Sequence, residues 1–311
     1  MGRSIYVSGQ LQSKLENALN EARMLVLGGQ VLIGAAFRLT FIDGFDKLPI
    51  YSRGLHLGSL WLMLIGLGIL LVPAPYHFIV EGGANTRRFH ELVTFVLEWT
   101  LLPFALGLGV SIFIVGEKTM TIAAGAIAGA IVFSVALGIW YVFSALKVKK
   151  RPVPVPKEEP TKLRQKIKEA LIEDRMVLPG AQALLGFQVA NAFTNTFDRL
   201  PKTSQWTHLG SLLCVAMSTI FLIAPAAYHR IAENGEDSEE FYEISGRMLL
   251  FALFWLGLGI AADLWVILER MTQSSLIAWI VSAATLLFFY GIWFGYSAVK
   301  RREKTRERLA G

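Results

Sequence analysis

The sequence predicts an all-α, polytopic membrane protein built as two tandem four-helix units. Three observations carry this. Charge is sparse and confined to short segments, eight long apolar runs alternate with them, and the chain matches itself at an offset of 152 residues. Of 311 residues, 54% are hydrophobic and 17% charged, against about 25% charged in soluble domains. Mean hydropathy is +0.49. A helix crossing about 30 Å of hydrocarbon needs about 20 mostly apolar residues. The runs lie at 24–42, 56–75, 92–115, 121–146, 176–197, 208–227, 247–268 and 274–299. They are continuous, whereas membrane strands alternate in and out.

The first 22 residues are polar, so the first apolar helix is expected to act as the targeting signal. Cys214 is the only cysteine, which excludes an intramolecular disulfide and a cysteine metal cluster. Lysines and arginines set the orientation. With a cytoplasmic N-terminus, 23 of the 30 basic residues fall on the cytoplasmic side and six (Lys47, Arg53, Lys118, Arg199, Lys202, Arg270) on the other, with Arg38 inside a helix. Both ends are therefore expected in the cytoplasm. The net charge of +6 follows from that topology. No basic soluble domain suggests nucleic acid.

The self-match runs in order through each unit. RMLVLGGQVLIG at 23 answers RMVLPGAQALLG at 175, FDKLP at 45 answers FDRLP at 197, and HLGSL recurs at 56 and 208. PAPYHFIVEGG at 73 answers PAAYHRIAENG at 225. An even number of spans per unit returns the chain to its starting side, so the units share one orientation about an axis normal to the membrane. The expected divisions are an amphipathic segment 1–22, a first unit 23–146, a linker 147–174, a second unit 175–299 and a basic tail 300–311. The linker starts with prolines at 152, 154 and 156, which favour an extended spacer. It continues with Leu163, Ile167 and Leu171 at helical spacing among lysines and arginines, an amphipathic helix suited to the bilayer surface. Anionic lipids are the expected partners of the linker and tail, and further membrane proteins are possible partners.

The pattern R-x-x-L-P-G-x-Q-x-L-x-G-F, then L-P, H-L and A-P-A-x-Y-H-R resembles an uncharacterised bacterial family of four-helix membrane proteins, a domain of unknown function. The second unit carries it closely over 175–230. The first departs at Leu27, where the pattern has Pro179, and at Phe78, where it has Arg230. The resemblance implies a bacterial inner-membrane location and no activity.

Ionisable groups within apolar spans are the leading functional candidates, because hydrocarbon penalises them. Arg38, Glu98 and Asp263 qualify. Arg38 and Asp263 share a depth in different units and are expected to form an ion pair. Glu98, lacking a sequence partner, is read as a buried carboxylate. Gln182, Gln188, Asn191 and Asn195 form a polar series in the fifth run, either lining a solute path or joining helices. AAGAIAGA places Gly125 and Gly129 for close helix approach.

The histidines mark run ends. His56 and His208 open one helix of each unit, and His77 and His229 close it. The simple reading is a wet membrane edge. A sharper one has His56 facing His208, or His77 facing His229, to clamp haem or a metal. No hydrolase, metalloprotease or phosphate-loop motif is present. The expectation is thus no cofactor or metal, with ion or small-solute permeation first, an accessory membrane subunit second and haem redox chemistry a distant third.

Overall fold

The computed structural model describes residues 2–143, 146, 162–233 and 238–310, with side chains described except at 2–13, 143, 308 and 310. The proline-rich stretch 147–161 and residues 234–237 lie outside them. The described residues form helices and no strand. In order they are α1 (Gly2–Thr40), α2 (Ile50–Leu70), α3 (Pro73–Tyr76), α4 (Arg87–Thr119), α5 (Ile122–Leu137), α6 (Leu163–Asn191), α7 (Asn195–Asp198), α8 (Lys202–Ile231), α9 (Glu239–Thr272), α10 (Ser275–Tyr290) and α11 (Tyr296–Ala310).

Helix starts repeat between the units for a chemical reason. Thr86 and Ser238, one offset apart, each accept from the amide three residues on, Phe89 N and Phe241 N. Thr121 and Ser274 do the same for α5 and α10. Each satisfies an amide the first turn leaves unpaired. The motif GIW recurs at 138 and 291, and both copies adopt π-helical turns, Gly138–Phe143 and Gly291–Gly295.

Among the described residues, seven helices are long and apolar enough to cross a membrane: Lys14–Thr40, Ile50–Glu81, Arg87–Thr119, Ile122–Val142, Lys202–Ile231, Glu239–Thr272 and Ser275–Glu307. The fifth predicted run is the exception. It lies in α6, where Glu169, Glu173, Asp174 and Arg175 precede the apolar part and the helix stops at Asn191. The amphipathic stretch before it is no separate surface helix but the first three turns of α6. Its Leu163, Ile167 and Leu171 stripe packs on Phe241 and Tyr242 of α9. Likewise Leu15 and Leu19 are fully buried in α1. A protein surface satisfies both stripes.

The units meet along α1 and α6, which lie side by side. Gly34 faces the Phe187 ring and Gly180 faces Gln30 so closely that a Cβ at Gly180 would lie 1.2 Å from Gln30 Oε1. A second seam joins α2 to α10 and the π-helical turn after it, where Trp293 Nε1 donates to Gly68 O at 2.7 Å and Trp61 Nε1 to Thr285 Oγ1 at 3.2 Å. Gly125 and Gly129 seat α5 against α4, as their spacing predicts. A Cβ on either would come within 2.6 Å of α4 backbone. The first turns of α6 and helix α11 lie at one end of the bundle, where Glu173 meets His77 and α11 packs on residues 77–81. We call it basal and the opposite end apical.

Candidate functional site, two buried histidine clusters

At the apical end three helix termini converge. α8 brings His208 two turns from its start, α9 brings Asp263 about 13 Å from its end at 1.5 Å per residue, and α6 brings Gln188 in its last turn. His208 Nδ1 lies 2.6 Å from Asp263 Oδ1, and Nε2 lies 3.0 Å from Gln188 O. Gln188 Nε2 donates to Asp263 Oδ2 at 3.1 Å and to Ser211 Oγ at 2.7 Å, and Ser211 donates to Gly259 O. His208, Asp263, Ser211 and Gln188 are all within 3% of complete burial.

The protonation follows from these partners. A backbone carbonyl only accepts, so Nε2 of His208 carries hydrogen. Two lone pairs at 2.6 Å would repel, so a second proton sits between Nδ1 and Oδ1. Imidazolium with carboxylate and imidazole with carboxylic acid satisfy this equally. The pair holds one proton more than a neutral histidine beside an aspartate.

His56 occupies the same cradle in the first unit. Its Nε2 donates to Ala36 O at 3.1 Å, where Ala36 is the repeat mate of Gln188. Phe45 meets it edge-on at 5.2 Å, as Phe197 meets His208 at 5.1 Å. The mate of Asp263 is Ser111, which bonds its own helix at Gly107 O. His56 Nδ1 is buried with no hydrogen-bond partner. The first cradle therefore holds a neutral ring.

At the basal end His77 stacks flat on Phe89 at 4.2 Å, and its Nδ1 meets Glu173 Oε1 at 2.6 Å. Glu169 Oε2 lies 3.9 Å from Nε2. Asn85 and Gln165 donate to Glu169 Oε1, and Ser245 donates to Asp174 Oδ2. Burial pushes the Glu169, Glu173 and Asp174 carboxyls above the usual carboxylate range. His229, the mate of His77, is half-buried and tilts against Phe241 at 4.6 Å.

These placements correct several expectations. Arg38 and Asp263 form no ion pair with each other. Arg38 Nη1 donates to Ala190 O at 2.8 Å and Asn191 Oδ1 at 3.3 Å, capping the end of α6, while His208 takes Asp263. Glu98 is exposed on the outer face of α4 between exposed Phe95 and Trp99, not buried. Gln182 and Asn195 are exposed while Gln188 and Asn191 are buried, so the amides line no common face. His56, His77 and His208 are buried rather than at a wet edge. None clamps its repeat mate: the ring-nitrogen bonds of His56 and His208 go to separate partners.

The self-match also held a pair that single-residue reasoning passed over. Ser52 and Ser204 are mates, as are Glu117 and Glu269. Ser52 Oγ donates to Glu117 at 2.5 Å, and Ser204 Oγ bonds Glu269. Read as an aligned pair, the repeat would have found them.

A family model matches the chain twice, over residues 8–144 and 157–297, once per unit. The chain belongs to the family of unknown function DUF6328. It is a tandem duplication of that domain. No curated protein and no solved structure matches it. In this DUF6328 chain the histidine cradle recurs in both copies and Asp263 occurs in one.

Proposed function

We propose that the protein is a multi-pass protein of the bacterial inner membrane that couples proton binding to the passage of an ion or small solute. The chain crosses eight times with both ends in the cytoplasm. The eighth crossing is the apolar part of α6, which repeats α1 in sequence and lies beside it, and the basic-residue asymmetry sets the orientation. One observation carries the reading. His208 and Asp263 share a proton within spans of hydrocarbon length, fully buried, in one unit only. Intramembrane ionisable pairs of this kind serve proton relays. A second buried pair, His77 with Glu173, lies at the opposite end.

Reconstitution tests this. Liposomes loaded with a pH-sensitive dye and carrying the protein should dissipate an imposed pH gradient faster than empty ones. Asp263→Asn should bring the rate down to the empty value and His56→Gln should not. Wild-type flux equal to that of empty liposomes overturns the proposal.

A second reading, an accessory subunit of a larger complex, is favoured by Glu98. A carboxylate exposed among Phe95 and Trp99 on a spanning helix calls for a covering partner. A photo-crosslinker at position 99 in native membranes should then give a discrete higher-mass band, and its absence argues against this reading.

A further inference from the structure

The outer face of the second unit holds three adjoining depressions at its basal end. The first, about 320 Å³, is apolar and lined by Leu250, Phe251, Phe254 and Phe294, with Arg247 at its rim. The second, about 530 Å³, shares Arg247 and Leu250 with it and adds Tyr242, Arg301 and Lys304. The third, about 660 Å³, shares Arg301 and Thr305 with the second and adds Arg302 and Arg306. Together they form one groove, hydrocarbon-like at one end and cationic at the other.

The charges in the groove are unequally matched. Glu243 pairs with Arg247 at 3.0 Å and Glu81 pairs with Lys304. Arg301, Arg302 and Arg306 have no carboxylate partner among the described residues. Arg302 and Arg306, four apart, share one face of α11, and Arg301 lines the same depression. Phe294 in the slot and Arg301 are seven residues apart on one helical run, about 10 Å along the axis. A ligand filling this groove needs an apolar tail and, about 10 Å beyond it, an anion.

We infer that this groove is a binding site for an anionic phospholipid, its acyl chain in the Phe251–Phe254–Phe294 slot and its phosphate on Arg301 and the arginines beside it. Guanidinium groups suit phosphate because their fork matches its oxygens. The first unit supplies a built-in contrast. At the matching positions Phe95 replaces Arg247 and Glu98 replaces Leu250. The corresponding slot carries a negative charge and lacks the rim arginine, so it rejects an anionic lipid. The inference is independent of the proton reading and assigns one site per chain.

Native mass spectrometry of the full-length, detergent-solubilised protein tests it. Titrated with dioleoyl-phosphatidylglycerol, the wild type should retain one lipid, with affinity at least about tenfold above dioleoyl-phosphatidylcholine, a difference of about 1.4 kcal/mol. Excess inorganic phosphate should not displace it, which separates a lipid from a free anion. Arg301→Ala with Arg302→Ala should abolish the preference. Leu250→Glu, copying the first unit, should do the same while its melting temperature in neutral detergent stays at the wild-type value, so misfolding is excluded. Equal affinity for the two lipids overturns the inference. So does an equal loss from Arg87→Ala with Arg88→Ala, two exposed arginines outside the groove, since that would mean diffuse charge attraction.

Discussion

His56 and His208 occupy the same pocket twice. Each ring meets a phenylalanine edge-on and donates Nε2–H to a carbonyl at the same repeat position. The first unit has Ala36 and Ser111 at the positions where the second has its polar partners. Around the second ring they are Gln188 and Asp263. The comparison separates what builds the fold from what adds chemistry. A neutral histidine bridging two helices is enough to hold the cradle, so the carboxylate in the second copy is an addition to a pocket that stands without it.

The largest effect expected follows from that addition. His208→Ala leaves Asp263 buried without its proton partner, which should cost about 3–5 kcal/mol. His56→Ala loses one hydrogen bond and some packing, about 1–2 kcal/mol. Chemical unfolding of the purified protein in detergent measures both, and equal losses would break the comparison. A gain-of-pair variant sharpens it. Ser111→Asp places a carboxylate where the second unit has Asp263, toward His56 Nδ1, which is buried without a partner. It should be tolerated within about 1 kcal/mol in the wild type and cost about 3 kcal/mol in a His56→Ala background, where no ring can share the proton.

A second contrast lies on the seam between α1 and α6. Gly28 and Gly180 are mates, but nothing lies within 4 Å of a Cβ built at Gly28, whereas one at Gly180 would strike Gln30. Gln30 is fully buried. Gly180→Ala should therefore cost about 1–3 kcal/mol by overpacking, and Gly28→Ala should lie within about 0.5 kcal/mol of wild type or stabilise the helix. Thermal melts of the two variants side by side decide this. Equal shifts would mean the seam is more symmetric than the contacts between α1 and α6.

The repeat and the apolar spans were legible because both are local signals, read along one strand of sequence. Asp263 was legible as an intramembrane charge, but its partner was not. His208 sits 55 residues away, and only the meeting of α8 with α9 brings the two together. Arg38 and Asp263 were matched by depth alone. Depth says nothing of azimuth, and Arg38 turns to the end of α6 instead. Glu98 shows the same gap, since its position along α4 was readable and the face it occupies was not. The acids of α6 are hidden from the sequence for a different reason. Spaced four and five apart among lysines, Glu169, Glu173 and Asp174 look like a solvated helix face, and what buries them is α1, α9 and the loop after α3, all distant in sequence.

The smallest expected effect concerns one of those acids and carries a pH signature. Asp174 is buried with Ser245 as its donor and no cation bonded to it, and its mate in the first unit is buried Ala22. Burial holds the Asp174 carboxyl well above its ordinary value of 3.8. The folded protein thus keeps a proton that the unfolded chain releases first. Below about pH 3.8 both states are protonated and the residue costs nothing. As pH rises the unfolded chain ionises first, so stability falls until the folded-state value is passed, and then stays lower. Asp174→Asn accepts the same Ser245 hydrogen bond without a charge. It should stabilise the protein by about 1 kcal/mol at neutral pH, with the gain shrinking toward zero as pH is lowered to about 4. Unfolding midpoints measured across that range check the sign. A gain that is constant with pH would mean Asp174 is already neutral in both states or that packing rather than charge sets the difference, and a loss at neutral pH would mean the carboxylate is paired in the folded protein as His77 pairs with Glu173.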